Sequence, residues 1–205
     1  MKNNNNTEEI KVILVGGSGV GKTNLINVAT GREFDQSSTT TTSCSFSQKE
    51  IKYNNKLYVL NIWDTIGQER LRELNKIFYK GAKIVIYVYD ITRKCTFEDL
   101  KGWINDTKEK LGEDGFIHAI CGNKCDLYLN EEVSEGDGRQ IADLIKAKFK
   151  LTSAKCNKKD FIIFLEELAH DYIDNLMSEV EKNNKSYILK KERLKSNRSK
   201  RNSCC

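Results

Sequence analysis

"IKVILVGGSGVGKTNLINVATG", residues 10–31, joins two periodicities through a cluster of glycines. Ile10 to Val15 is a short β-branched run of the kind that forms a buried strand. The segment from Lys22 onward carries apolar residues at helical spacing and closes on Gly31. Between them "GGSGVGKT", Gly16 to Thr23, satisfies G-x-x-x-x-G-K-[ST] in the strand-to-helix setting that this pattern requires. Gly16, Gly17, Gly19 and Gly21 let the backbone curl so that the N–H groups of the loop, those of Ser18 and Val20 included, face one anion. The helix N-terminus adds partial positive charge. Lys22 then reaches the β- and γ-phosphates of a nucleotide, and Thr23 offers a hydroxyl to Mg²⁺.

Outward from this unit the two periods keep alternating. "KLYVLNIWD" alternates with Tyr58, Leu60 and Ile62 on one face, and "YNNK" ahead of it supplies a hairpin turn. "KIVIYVYD" reads as a continuous buried strand, followed by a helix through residues 96–111 and a strand in "FIHAICGNK". A helix over about 137–148, a strand in "FKLTS" and an amphipathic helix in "KDFIIFLEELAHDYIDNLM" complete the pattern. Strands alternating with helices predict an α/β fold, a mostly parallel sheet covered on both faces. Ligands of such sheets bind beyond the carboxyl ends of the strands.

The 205 residues suit one domain with an appendage, and 39% hydrophobic with 31% charged residues reads as a globular chain. "MKNNNNTEE" has no apolar core of a secretory signal, and no run of about 18 apolar residues suggests a membrane span. Lys2 after Met1 argues against N-myristoylation. Seven cysteines, an odd number in a long chain, predict a reducing compartment rather than a disulfide framework. "CGNKC" at 121–125 lacks partners for a tetrahedral zinc site, since His118 and His170 are the only histidines. From Ser178 onward nine bases face three acids, a local balance of +6 against a chain total of +5. The body is therefore near neutral, and the tail is a polar extension with too little apolar surface to fold alone.

Two further groups of residues fall at predicted strand ends. In "WDTIGQE" Asp64 can hold the shell of Mg²⁺, Gly67 can bring its N–H to a γ-phosphate, and Gln68 can orient an attacking water. In "NKCD", Asn123, Lys124 and Asp126 follow the next strand but one, and the Asp126 carboxylate matches the two N–H donors of guanine's edge. Adenine would leave it unpaired. "TSAK" adds Ser153, Ala154 and Lys155, and can supply a backbone N–H to the guanine carbonyl with Lys155 along the base.

Taken together, these motifs resemble those of Ras-superfamily small GTPases, and specifically of the Rab family, over about residues 9–177. The resemblance implies a P-loop G domain whose six-stranded, mostly parallel sheet has one antiparallel edge strand and helices on both faces. It implies a disordered 1–8 and a hypervariable basic tail over 178–205. In the family a threonine stands 19 residues after the phosphate-loop lysine and 23 before the aspartate, which selects Thr41 from "STTTTSCSF". Thr41 would complete the Mg²⁺ ligands with Thr23 and Asp64 and sense the γ-phosphate. Phe34 corresponds to the aromatic contact on the guanine ring, and Phe46, Trp63 and Phe78 to the patch that effectors read.

The resemblance further implies a GTP/GDP switch regulating vesicle traffic, acting as a monomer that hydrolyses GTP with Gln68 as the catalytic residue. An exchange factor, a GTPase-activating protein, effectors, prenyltransferase machinery and a lipid-shielding escort would be its partners. No internal arginine finger is evident, so fast turnover would need one supplied in trans, adding about 10³ to 10⁵ in rate. Cys204 and Cys205 resemble the double geranylgeranylation signal, and two lipids behind basic residues hold a protein stably on an anionic membrane. The competing idea, a nucleic-acid-binding arm, has no use for terminal thiols. The expected location is the cytoplasmic face of intracellular membranes, cycling with the cytosol.

Three departures stand out. Thr42, Ser43 and Ser45 replace the usual isoleucine, glycine and aspartate around the effector segment, and Gly17 replaces an aspartate in the phosphate loop. Ile66 occupies the alanine position of D-T-A-G-Q beside the γ-phosphate. Its branched side chain can crowd Gln68, so the alternative is a GTP-binding recruitment module with little or no hydrolysis.

Overall fold

The computed structural model describes residues 7–36, 45–64, 76–112 and 115–201. Six strands form one sheet in the order β2-β3-β1-β4-β5-β6. They are β1 (Glu8–Val15), β2 (Ser45–Tyr53), β3 (Lys56–Asp64), β4 (Ile84–Asp90), β5 (Ile117–Asn123) and β6 (Lys148–Leu151). The β2–β3 pair is antiparallel and every other pair is parallel, as expected for one antiparallel edge strand. Asn54 and Asn55 both take left-handed backbone angles at the β2–β3 turn, φ 48° and 60°, the geometry of a two-residue hairpin.

All seven residues of β4 are buried, so both faces of the sheet are covered at its centre. On one face Val85, Tyr87 and Tyr89 pack with Leu100, Trp103 and Ile104 of α4 (Leu100–Leu111). Tyr58, Leu60 and Ile62 of β3 are no more than 1% exposed, as their alternation predicts.

Helix boundaries follow local chemistry more closely than periodicity does. The helix α1 (Lys22–Ala29) ends where Gly31 turns to φ 80° and the Arg32 N–H returns to the Asn27 carbonyl at 2.8 Å. The helix expected over 96–111 is two elements, α3 (Lys94–Glu98) and α4, meeting at Asp99. The Thr96 hydroxyl accepts from the Asp90 N–H at 3.0 Å, which fastens α3 to the end of β4.

The helix expected over 137–148 is α5 (Glu135–Leu144). Ser134 and Asp137 form a reciprocal capping box that starts it two residues early. It stops at Leu144, and two residues on Lys146, with a φ of 55°, sends the Ala147 N–H back to the Ala142 carbonyl and frees Lys148 to begin β6. Two short elements had no clear signal in the sequence: α2 (Lys76–Tyr79) and a 3-10 helix over Cys125–Asn130.

The last helix, α6 (Lys158–Arg201), buries Phe161, Phe164, Leu165, Leu168 and Ala169 in its first turns. It runs well past Met177, where the sequence suggested that folded structure would stop. Propagating a helix from an already nucleated end carries no new nucleation cost, and residues 178–201 contain neither glycine nor proline. The chain divides into two compact units, residues 1–170 and 171–205.

Candidate functional site

The parallel register aligns the carboxyl ends of five strands along one edge, pairing Leu14 with Asp64, Val15 with Tyr87, Asp90 with Asn123, and Gly122 with Leu151. The loop Gly16 to Gly21 leaves this edge from β1. A side chain at Gly16 would overlap the Val88 carbonyl, and one at Gly21, whose φ is 97°, would overlap the Asn123 amide. Glycine alone fits both places.

Lys22 folds back over the loop, its ammonium donating to the carbonyls of Gly16 at 2.8 Å and Gly17 at 2.9 Å. The residue is only 5% exposed. Burial lowers its pKa to about 8; the Asp64 carboxylate opposes that shift and the Arg93 cation adds to it. A desolvated cation at the mouth of a helix favours an anionic ligand that restores its solvation.

At the end of β3 the Asp64 carboxylate accepts a 2.6 Å hydrogen bond from the Thr23 hydroxyl. Two of the three proposed metal ligands are thus adjacent, and both present hard oxygen donors of the kind Mg²⁺ selects. The third, Thr41, lies outside the described residues, as do Ile66, Gly67 and Gln68.

The base-side residues are tied to one another and to the phosphate loop. Asn123 is buried and donates from its side chain to the Val20 carbonyl at 2.8 Å. Lys124 turns the chain with a φ of 67° and sends its ammonium to the Asp90 carboxylate at 2.6 Å. The Ser153 hydroxyl donates to Asp126, orienting that carboxylate, and accepts from the Cys156 N–H at 3.0 Å. Ser153 and Ala154 are buried and Lys155 is exposed, in the segment that leaves β6. Between the strands Thr152 accepts the Cys125 N–H and donates its own N–H to Gly122, so "NKCD" and "TSAK" form one hydrogen-bonded wall. Cys121 belongs to the core, with its thiol 3.1 Å from the Thr152 hydroxyl and its pKa pushed by burial up to about 12.

Phe34 is half-buried in the segment after α1. The Asn24 side chain pins that segment, donating to the Asp35 carbonyl at 3.0 Å and accepting its N–H at 2.9 Å. Phe46, Trp63 and Phe78 do come together. Phe46 and Trp63 are register partners with ring centroids 5.3 Å apart, and Phe78 lies 6.0 Å beyond Trp63. Phe46 is 46% exposed, so the cluster reaches the surface rather than closing into the core. Cys204 and Cys205 lie outside the described residues.

Two contributors, Asp90 and Arg93, lie in no motif read from the sequence. Asp90, at the end of β4, accepts from the Thr92 N–H and hydroxyl on one oxygen and from Arg93 and Lys124 on the other. Burial would raise its pKa, but the hydrogen bonds from Lys124 and Thr92 outweigh that and hold it below the ordinary carboxylate range. The available signal was a carboxylate ending an otherwise apolar strand.

A strand, a glycine loop curled over a buried lysine and a helix, set at the carboxyl edge of a mostly parallel sheet, define a P-loop nucleotide-binding protein. The sequence model of the Ras family matches residues 11–173. Ras-related protein Rab-22A of Homo sapiens is 43% identical over 147 residues, 72% of this chain and 75% of that protein. Ras-related protein Rab-31 of Rattus norvegicus is 40% identical over the same length and coverage. Ras-related protein SEC4 of Candida albicans is 36% identical over 157 residues, 77% of this chain and 74% of its own. The chain belongs to the Ras family and is a small GTPase of the Rab type.

Proposed function

We propose that this chain is a membrane-anchored GTP/GDP switch of vesicle trafficking that hydrolyses GTP to GDP and phosphate. The observation that supports the proposal is the Asn123 to Val20 hydrogen bond at 2.8 Å, which ties "NKCD" to the glycine loop. Loop N–H groups and Lys22 receive the phosphates. Asp126, oriented by Ser153, takes the guanine edge, and Phe34 with Lys155 flanks the base. Discrimination against adenine follows from the cost of leaving the Asp126 carboxylate without its two donors.

Thr23, Asp64 and Thr41 would hold Mg²⁺, and the adjacent oxygens of Thr23 and Asp64 fit that ion. When bound, it neutralises charge on the phosphate oxygens. Gln68 orients the attacking water, and Gly67 and Thr41 report the γ-phosphate by binding it through their N–H groups. Loss of that phosphate releases the segments that carry them. An arginine supplied by a GTPase-activating protein would complete fast turnover.

Phe46, Trp63 and Phe78 form the surface that effectors read. Cys204 and Cys205 carry the lipids, and the bases of the tail add attraction to the anionic cytoplasmic leaflet of intracellular membranes. Prenyltransferase machinery would attach the lipids, an escort would shield them in the cytosol, and an exchange factor would reload the monomer with GTP. The domain boundaries 9–177 and 178–205 belong to the same proposal.

Nucleotide extracted from the purified protein tests the identity: guanine nucleotide is expected, and ready displacement by excess ATP would refute it. Single-turnover phosphate release from GTP-loaded protein, with and without an activating protein, tests hydrolysis. No release in either condition would favour the second reading, a recruitment module disabled by Ile66.

A further inference from the structure

Arg93 stands between the two halves of the site. Its Nε donates to Asp90 at 3.0 Å, and a terminal guanidinium nitrogen donates to the Ser18 carbonyl in the phosphate loop, also at 3.0 Å. The same Asp90 oxygen receives the Lys124 ammonium at 2.6 Å. A connection therefore runs from Ser18 through Arg93 and Asp90 to Lys124, crossing the ends of β1, β4 and β5. It is parallel to the buried link from Asn123 to Val20, but lies on the outer edge, where the Arg93 side chain is 41% exposed. A side chain at Gly19 would come within 3.6 Å of the guanidinium, which places this cation beside the outer turn of the loop.

We propose that Arg93 is a positioning residue for nucleotide retention, a clasp that holds the phosphate loop against the base-recognition loop. The inference rests on the guanine-nucleotide reading above and assigns to that site a residue outside its motifs. Release of a nucleotide that spans both loops requires them to separate, and the clasp opposes that separation. The guanidinium fork suits the task because its planar donors reach a carboxylate and a carbonyl at once, whereas an ammonium acts as a point charge. Two charge-assisted hydrogen bonds on a partly exposed side chain are worth about a tenfold change in dissociation rate.

The full chain, loaded with fluorescent GDP and chased with excess unlabelled GDP, provides the test. Arg93→Gln should release GDP about ten times faster and Arg93→Lys at an intermediate rate, while the association rate stays near wild type. Arg139→Gln, which breaks the surface pair with Glu135 on α5 and the contact of its guanidinium with the Phe149 ring, should leave release unchanged. Equal release from wild type and Arg93→Gln would overturn the role of Arg93 while leaving the nucleotide site standing. A wild-type protein that retains no guanine nucleotide would overturn both proposals. If Arg93→Gln fails to fold, Arg93→Lys decides: release at the wild-type rate overturns the clasp, and faster release supports it.

Discussion

The side-chain amide of Asn123 donates to the backbone carbonyl of Val20 at 2.8 Å, joining residues 103 positions apart in the chain. Both groups are buried, so neither can turn to water if the other is removed. Asn123→Ala should therefore lower stability by about 1–3 kcal/mol, the cost of a stranded buried acceptor, and should speed nucleotide release. Denaturant unfolding and nucleotide chase measure the two effects on the same preparation.

Gly21→Ala meets two obstacles at once, a φ of 97° and the Asn123 side chain in the space that the new methyl needs. Strain of about 1–3 kcal/mol is expected at that backbone angle. Because the displaced neighbour is Asn123, nucleotide affinity should fall by more than tenfold. Gly31→Ala shares the positive φ but has open space around it, and should cost stability only. Titration with fluorescent GDP distinguishes the pair.

Tyr89 is fully buried, and among the described residues its hydroxyl has no hydrogen-bond partner. Burial also pushes its pKa well above the ordinary tyrosine range. Tyr89→Phe removes an unsatisfied polar atom and keeps the ring, which stacks edge-on to Phe97 at 5.1 Å. Stability should be unchanged or rise by up to about 1 kcal/mol, measured by denaturant midpoint. A loss of that size would show that the hydroxyl has a partner.

His118 sets an acid-side dependence of stability. Burial, with the Lys108 cation adding to it, lowers its pKa below the ordinary 6.5, and its Nδ1 lies 3.2 Å from the Tyr87 hydroxyl. Between the folded pKa and 6.5 the unfolded chain binds a proton that the folded one refuses. Stability is therefore lost as pH falls through that window and is unaffected by this group above it. Thermal unfolding from about pH 7 to about pH 5 should fall less steeply in His118→Asn than in wild type.

For Thr41, outside the described residues, the expected outcome comes from its place in the chain. Thr41→Ala should abolish GTP-dependent effector binding and Thr40→Ala should do little. Equal loss from both, in pull-down with GTP-loaded protein, would mean that the register selecting Thr41 is wrong.

The phosphate loop was legible because its chemistry is local. Gly16 to Thr23 are consecutive, and the strand before them and the helix after them follow from the pattern of their own apolar residues. Asp126 and Ser153 were legible as separate tetrapeptides at strand ends, but their contact was not, since it depends on β5 and β6 lying side by side. Capping chemistry marked the start of α5 at Ser134, yet periodicity alone placed that start two residues later. Asp90 and Arg93 escaped notice because an acid and a base three residues apart form an ordinary surface pair in most chains.

By itself the sequence determined the alternation of strands and helices, the glycine loop between β1 and α1 and the order of the motifs proposed to recognise guanine. These depend on backbone conformations and side-chain types set by neighbours along the chain. Only the tertiary structure decided which distant groups complete the site: Asn123 on Val20, Thr23 on Asp64, and Arg93 and Lys124 on one oxygen of Asp90. The physical reason is strand order. A parallel sheet wound as β3-β1-β4-β5 brings the ends of strands far apart in sequence to one edge, where buried polar groups must find partners in one another.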